Sequence, residues 1–310
     1  MTHIIRAALT ETRNAFEDMP ATPDGLDALA GRLDEIREAN LAHHIELADR
    51  AAQAGANLIG FGELFTGPYF ALEERAFWRD LAEDAHDGPT VTRLRDTARQ
   101  LGIVIVAPLF ELDARTGKRF NTAVVIERTG EVLGIFRKVH IPAGANERAS
   151  FHETFYYDGS DGALHNGAAN ISTNPFYPVF ETSVGRLGVA ICYDRHYPGS
   201  VATLAANGAQ IVLQPAVTFG STSRRAWPIE AAVDALRHRV HLCVSNRSGA
   251  EAPWGVEYFG ESFFVGPGGP HPARHIGPEL LLADLDLDSL GPGDSGWDFA
   301  RDARPECYGA

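Results

Sequence analysis

The chain has 310 residues, with 27 Lys and Arg against 41 Asp and Glu, for a formal net charge of −14. That balance, with no clustered run of Lys and Arg, excludes nucleic acid and anionic membrane surfaces as partners. Apolar content of 45% and charged content of 22% are ordinary for a globular protein, and the length suffices for a large core without staples.

Taken in chain order, short apolar runs alternate with amphipathic stretches. Residues 3–9 (HIIRAAL) read as an opening strand. Leu41, Ile45, Ala48 and Ala52 fall on one helical face, and Gly55 suits the position just past that helix. Residues 57–61 (NLIGF) follow as a buried strand. Residues 89–102 repeat the design, with Pro89 at the start, Val91, Leu94, Ala98 and Leu101 on one face, and Gly102 at the end; 103–109 (IVIVAPL) is then a strand. Residues 121–126 and 132–136 form a hairpin around Thr129-Gly130. Later strands are read at 187–191, 210–213, 242–245, 263–265 and 280–285, with helices after Cys192 and over 222–240. Alternating strands and helices with one hairpin imply an α/β fold with a mixed sheet. So many strands suit a two-sheet core covered by helices on both sides. Residues 158–178 (DGSDGALHNGAANISTNPFYP) read as a long surface loop, a functional cover or a tolerated insertion.

The cysteines are Cys192, Cys243 and Cys307, odd in number and far apart, which suggests neither a disulfide framework nor a CxxC metal site. A reducing, cytoplasmic location is expected, because residues 1–20 lack the pattern of a secretory signal and no apolar stretch approaches the roughly 18 residues of a membrane span. Cys243 lies mid-strand without polar company and Cys307 near the terminus, so both read as bland. Cys192 differs. In 184–198 (VGRLGVAICYDRHYP) an apolar strand runs into it, a polar turn follows, and Pro198 marks a helix start. A strand-to-helix turn near a helix's positive end favours the reactive thiolate. Such a nucleophile needs a base and an oxyanion donor. Glu63 directly follows the strand NLIGF, at the sheet edge where α/β proteins assemble their sites, and partial burial there suits acid–base work. Lys138 stands likewise after 132–136, where an ammonium would stabilise an oxyanion. A solvated charge is the competing reading for each alone, but three such residues at three strand ends have the types the chemistry requires.

These segments resemble the nitrilase superfamily, the carbon–nitrogen hydrolases, whose Glu–Lys–Cys triad is carried in three short motifs. Here they stand as GELFTGP with Glu63, FRKVHIP with Lys138 and GVAICYDRHYP with Cys192, in the family's order and spacing. The resemblance runs from the opening strand to the terminal RDARPECY. It implies a four-layer αββα sandwich with a mixed two-sheet core, homodimers or larger homo-oligomers, and no cofactor or metal. Within the family the chain is most similar to β-ureidopropionases and related N-carbamoyl-amino-acid amidohydrolases, through ICYDRHYP, through Trp227-Pro228-Ile229-Glu230 and Asn246-Arg247, and through FHETFYY, which places Glu153 where that branch carries a second glutamate. Residues 158–178 lengthen the connection before the cysteine strand and could cover the pocket. Motifs spread from residue 63 to 192 must meet in one site, so one domain spanning 1–310 is expected, with 158–178 inserted.

The implied mechanism has Glu63 take the thiol proton, Cys192 attack a carbonyl or carbamoyl carbon, and Lys138 with the Tyr193 backbone N–H hold the oxyanion. Glu63 then protonates the departing nitrogen, and water positioned with Glu153 releases the acyl group. Arg195, three residues past Cys192, would hold a substrate carboxylate with paired hydrogen bonds; an ion pair with Asp194 is the competing reading. His140 and His196 are further candidates to line the pocket, against structural roles for both. The expected partner is a small anionic ureido or amide substrate, best an N-carbamoyl amino acid such as N-carbamoyl-β-alanine. N-carbamoyl-D-amino acids, N-carbamoylputrescine, simple amides, transfer to an amine, and a non-catalytic assembly role stay open.

Overall fold

The computed structural model describes residues 3–291 and 298–307; Tyr308, the last residue of RDARPECY, lies outside them. In chain order the helices are α1 (Leu33–Gln53), α2 (Pro89–Leu101), α3 (Glu153–Tyr156), α4 (Pro198–Ala206), α5 (Ser221–His238) and α6 (Phe299–Asp302). The strands are β1 (Ile4–Thr10), β2 (Leu58–Gly60), β3 (Val104–Leu112), β4 (Arg119–Ile126), β5 (Val132–Arg137), β6 (Gly144–Ala145), β7 (Ser150–Phe151), β8 (Val179–Thr182), β9 (Gly185–Val189), β10 (Ile211–Pro215), β11 (His241–Ser245), β12 (Ser248–Glu251), β13 (Val256–Phe259), β14 (Phe263–Gly266), β15 (Gly269–Pro270), β16 (Arg274–His275) and β17 (Leu280–Asp286).

Seven strands form one sheet in the order β16-β17-β1-β2-β3-β4-β5, and six form a second in the order β15-β14-β11-β10-β9-β8. Both are mixed: β1, β2 and β3 run parallel, as do β9, β10 and β11, with antiparallel strands outside them. Side chains alternate between the faces of a strand, and the apolar clusters follow that period. Val104, Val106, Ala123 and Val125 face the second sheet's Leu187, Val189 and Leu213. Ile103, Ile105, Val124 and Ile126 face the other way, against Leu47 and Ala48 of α1 and Val91, Leu94 and Ala98 of α2. Trp227, Ala231 and Ala235 of α5 and Val201 and Leu204 of α4 cover the second sheet. The layers are therefore helix, sheet, sheet, helix, the αββα sandwich expected. Burying each such aliphatic side chain contributes roughly 1.5–3 kcal/mol.

The structure departs from the sequence reading in places. The strand before Cys192 ends at Val189, because the Ile191 amide turns aside to donate to Asp194 Oδ2 at 3.1 Å. The β12–β13 hairpin has no signature in the sequence, since Ser248 and Gly249 carry no apolar alternation. Residues 158–178 are neither a lid nor detached: Asn166 donates to Ile135 O at 2.9 Å and accepts from Ile135 N at 2.8 Å, so the segment covers the free edge of β5. Among the described residues no helix is long and apolar enough to cross a membrane.

Candidate active site

β2, β3 and β5 share one direction, because β4 reverses between β3 and β5. Glu63 and Lys138, each just beyond a strand's C-terminal end, therefore reach the same edge. Lys138 Nζ donates to Glu63 Oε1 at 2.9 Å and to Glu153 Oε2 at 2.6 Å, and all three side chains are buried. Glu153 is carried by the single turn α3. The carboxylates are held from behind: Asn121 Nδ2 donates to Glu63 Oε1 at 2.8 Å, the Val217 amide to Glu63 Oε2 at 2.7 Å, and Tyr69 OH to Glu153 Oε1 at 2.7 Å. Burial alone would discharge Lys138, but Glu153 and Glu63 outweigh it and hold the ammonium well above its ordinary pKa. Burial pushes Glu153 up, Glu63 adds to the rise, and Lys138 offsets only part of it.

Cys192 follows β9 with φ of +50°, a left-handed conformation unusual for a residue with a side chain. Asp194 fixes that turn. Its Oδ2 takes the Ile191 amide, its own amide donates to Ile191 O at 3.0 Å, and its Oδ1 meets His140 N at 2.9 Å and His140 Nδ1 at 2.8 Å. Cys192 Sγ lies 3.7 Å from Val217 O. Thus the Val217 peptide touches Glu63 through its N–H and Cys192 through its carbonyl. The thiolate expectation needs correction. Cys192 itself opens a single 3-10 turn, Cys192–His196, and the longer α4 begins only at Pro198. Burial, with Glu63 adding to it, pushes the thiol up to about 12 despite Lys138 and Arg195. The resting group is the neutral thiol, which needs a base.

Cys192 opens onto a cleft of about 650 Å³ counting its mouth, lined also by Glu153, Tyr193, Arg195, His196, Phe219 and Tyr69. His140 is not in that lining: its ring stacks on Tyr197 at 3.6 Å while Asp194 holds it from the side. His196 lines the cleft and pairs through Nδ1 with Glu230 Oε1 at 2.7 Å. Arg195, 4% exposed, does not pair with Asp194, which His140 occupies. Its Nη1 donates to Cys192 O at 2.9 Å and lies 3.9 Å from the sulfur, Nη2 donates to Thr218 Oγ1 at 3.3 Å, and Nε faces Glu230 at 3.4 Å. No residue of 158–178 lines the cleft, so the reading of that segment as a pocket cover is corrected. Its Asn166 is bound to the β5 edge and its Tyr177 hydroxyl to Ser200 at 2.9 Å.

Several contributors escape the sequence reading. Val217 and Thr218 follow β10 as Glu63 follows β2, so the same strand-end argument extends to them. Asn121, wholly buried within β4, is a signal of the same kind. Tyr69 leaves no trace in local pattern, and Glu230 stands in the sequence only as part of the Trp227–Glu230 resemblance, without a role. Cys192, Cys243 and Cys307 are all free, and among the described residues no group of three His, Cys, Asp or Glu converges to hold a metal ion.

Comparison with known proteins identifies the family. The carbon–nitrogen hydrolase family model matches residues 33–293. A β-ureidopropionase of Arabidopsis thaliana is 31% identical over 98% of this chain and 72% of its own length. An N-carbamoylputrescine amidase of the same plant is 31% identical over 87% of this chain and 88% of its own. The crystal structure of a carbon–nitrogen hydrolase from Helicobacter pylori G27 superposes with a TM-score of 0.79 at 26% identity, covering 99% of this chain and 97% of that one. The chain belongs to the carbon–nitrogen hydrolase family, within the nitrilase superfamily, and is a hydrolase of amide-type C–N bonds.

Proposed function

We propose that the chain hydrolyses an N-carbamoyl amino acid resembling N-carbamoyl-β-alanine, giving the amino acid, CO2 and ammonia. The observation that carries this reading is the Arg195 guanidinium in the cleft wall, 3.9 Å from the Cys192 sulfur. A planar cation there suits a carboxylate a few bonds from the scissile C–N bond. The names of the two plant relatives, which denote ureido compounds, support the carbamoyl half of the substrate.

The mechanism proposed is the following. Glu63 removes the proton from the neutral Cys192 thiol, and sulfur bonds to the carbamoyl carbon. The oxyanion is met by Lys138 and the Tyr193 backbone N–H. Glu63 returns the proton to the departing nitrogen as the C–N bond breaks, leaving a carbamoyl thioester on Cys192. Water then gives its proton to Glu63, with Glu153 positioning it, and attacks the thioester. Glu63 returns that proton to the sulfur, which leaves as the thiol, and the released carbamic acid breaks down to CO2 and ammonia. Lys138 keeps its contacts to Glu63 and Glu153 beside the reacting sulfur. Each donor or base in such a scheme is worth on the order of a hundredfold in rate.

One observation favours a second reading. Glu230 stands 3.4 Å from Arg195 Nε and offsets its charge, so an amine-bearing substrate such as N-carbamoylputrescine is the alternative. Ammonia release from N-carbamoyl-β-alanine, N-carbamoyl-D- and L-amino acids, N-carbamoylputrescine and simple amides tests both. Highest kcat/KM on an N-carbamoyl acid is expected. Arg195→Lys should raise KM on the acid more than on a neutral amide. Equal losses on both would mean that Arg195 only supports the Cys192 turn, and preference for the putrescine compound would overturn the acid reading.

A further inference from the structure

Glu63 and Cys192 come from different sheets, and one dipeptide holds both of their walls. Asn246 and Arg247 follow β11 directly, beside the end of β10. Arg247 is buried behind the turn that carries Glu63. Its Nη2 donates to Gly67 O at 2.8 Å, Leu64 O at 2.9 Å and Glu63 O at 3.2 Å, while Nη1 binds Glu251 Oε1. Glu251 in turn accepts from the Tyr69 amide at 3.1 Å. The turn needs such support, because Leu64 has φ of +50°. Asn246 works on the opposite wall. Its Oδ1 accepts from Thr218 N at 2.9 Å, and its Nδ2 donates to Thr218 O at 3.1 Å and Gly260 O at 3.2 Å. Thr218 and Val217 are the residues that meet Arg195, the Glu63 carboxylate and the Cys192 sulfur.

We propose that Asn246 and Arg247 are a pair of positioning residues that set the base Glu63 against the nucleophile Cys192. The proposal rests on the roles assigned to Glu63 and Cys192 under the proposed function. The two residues act through backbone carbonyls and amides: Arg247 orients the Glu63 turn, and Asn246 orients the Val217–Thr218 strip that both reacting groups touch. A planar guanidinium serves three carbonyls and a carboxylate at once, which the compact ammonium of lysine cannot reproduce. An aspartate at 246 would keep the contact to Thr218 N and turn an oxygen toward two carbonyls. Alkylation of Cys192 at neutral pH requires loss of the thiol proton, for which Glu63 is the assigned base, so its rate reads the placement of that base.

The test compares full-length Arg247→Lys and Asn246→Asp with Leu94→Ala, a truncation in the remote α2 layer. Three quantities are read: melting temperature, kcat and KM on the best substrate of the panel, and the rate of iodoacetamide alkylation at Cys192 at neutral pH, mapped by peptide mass. The expected result is a fall in kcat and in Cys192 alkylation together, on the order of a hundredfold as for a small misplacement of reacting groups, with KM little changed. Leu94→Ala should lower the melting temperature and leave both rates alone. Where Arg247→Lys does not fold, Asn246→Asp carries the same prediction. Folded variants with wild-type alkylation and kcat would overturn the proposal, as would a loss confined to KM or an equal loss in Leu94→Ala. Alkylation needs no substrate, so failure of the N-carbamoyl reading and failure of this one are separately visible.

Discussion

Arg137 and Lys138 stand side by side at the end of β5, both buried, and serve two different clusters. Arg137 lies against Glu111, with Nε 2.8 Å from Oε2, against Asp113 at 3.2 Å, and over the Phe120 ring at 3.8 Å. Lys138 faces Glu63 and Glu153 on the opposite side, toward Cys192. Arg137 also reaches Asp161 Oδ1 at 3.5 Å, so it serves three carboxylates where Lys138 serves two, and Asp113 and Glu153 respond in opposite directions. Burial would lift Asp113, but hydrogen bonds from Arg115 and Arg137 overcome it and hold the acid below its ordinary value. Burial lifts Glu153 and is not overcome, because one ammonium is shared with Glu63. A planar five-donor cation with added partners satisfies the acids around it, whereas the ammonium of Lys138 is shared between two acids beside the nucleophile.

Substitutions at this pair separate the two roles. The largest expected effect is at Glu63: Glu63→Gln should lower kcat by a hundredfold or more, roughly the worth of a general base, while leaving the circular dichroism unchanged. Next, Arg137→Met and Lys138→Met each strand buried carboxylates and should cost about 3–5 kcal/mol in urea unfolding. Where folded, Arg137→Met should keep turnover of the wild-type order and Lys138→Met should lose it. Equal losses of turnover in the two would break the contrast.

The smallest effect expected is on pH dependence. Glu153 has a raised folded-state pKa, so the folded chain keeps a proton that the unfolded chain loses above its ordinary value of about 4.5. Its contribution should decline as pH rises from there through the folded value, and Glu153→Gln should flatten that slope. Asp113 is depressed, so its contribution is present above about 3.8 and lost as pH falls through the folded value. Asp113→Asn should reduce the acid-side loss. Melting temperature against pH for the three proteins checks both signs.

Features set by local period are legible in the order of residues alone. Val104 and Ile105 separate onto the two faces of β3 because strand side chains alternate. Glu63, Lys138 and Cys192 stand out because each follows an apolar strand. Contacts between distant segments leave no such mark. The Val217 amide lies 154 residues from the Glu63 carboxylate it donates to, and Arg247 lies 183 from Leu64. Chain proximity sets Arg195 against its neighbour Asp194, but the turn sends Asp194 to His140 and Arg195 to Glu230. The thiol of Cys192 departs from expectation for the same reason: its surroundings come from Glu63 and Val217, not from the helix that follows it.

The central claim is that Cys192 carries the carbamoyl group, and acid-quenched mass analysis during turnover of N-carbamoyl-β-alanine tests it most directly. One carbamoyl group is expected on the peptide containing Cys192 and none on the Cys192→Ala protein, which should release no ammonia. Undiminished ammonia release by Cys192→Ala, or an adduct mapped to Cys243 or Cys307, would contradict it.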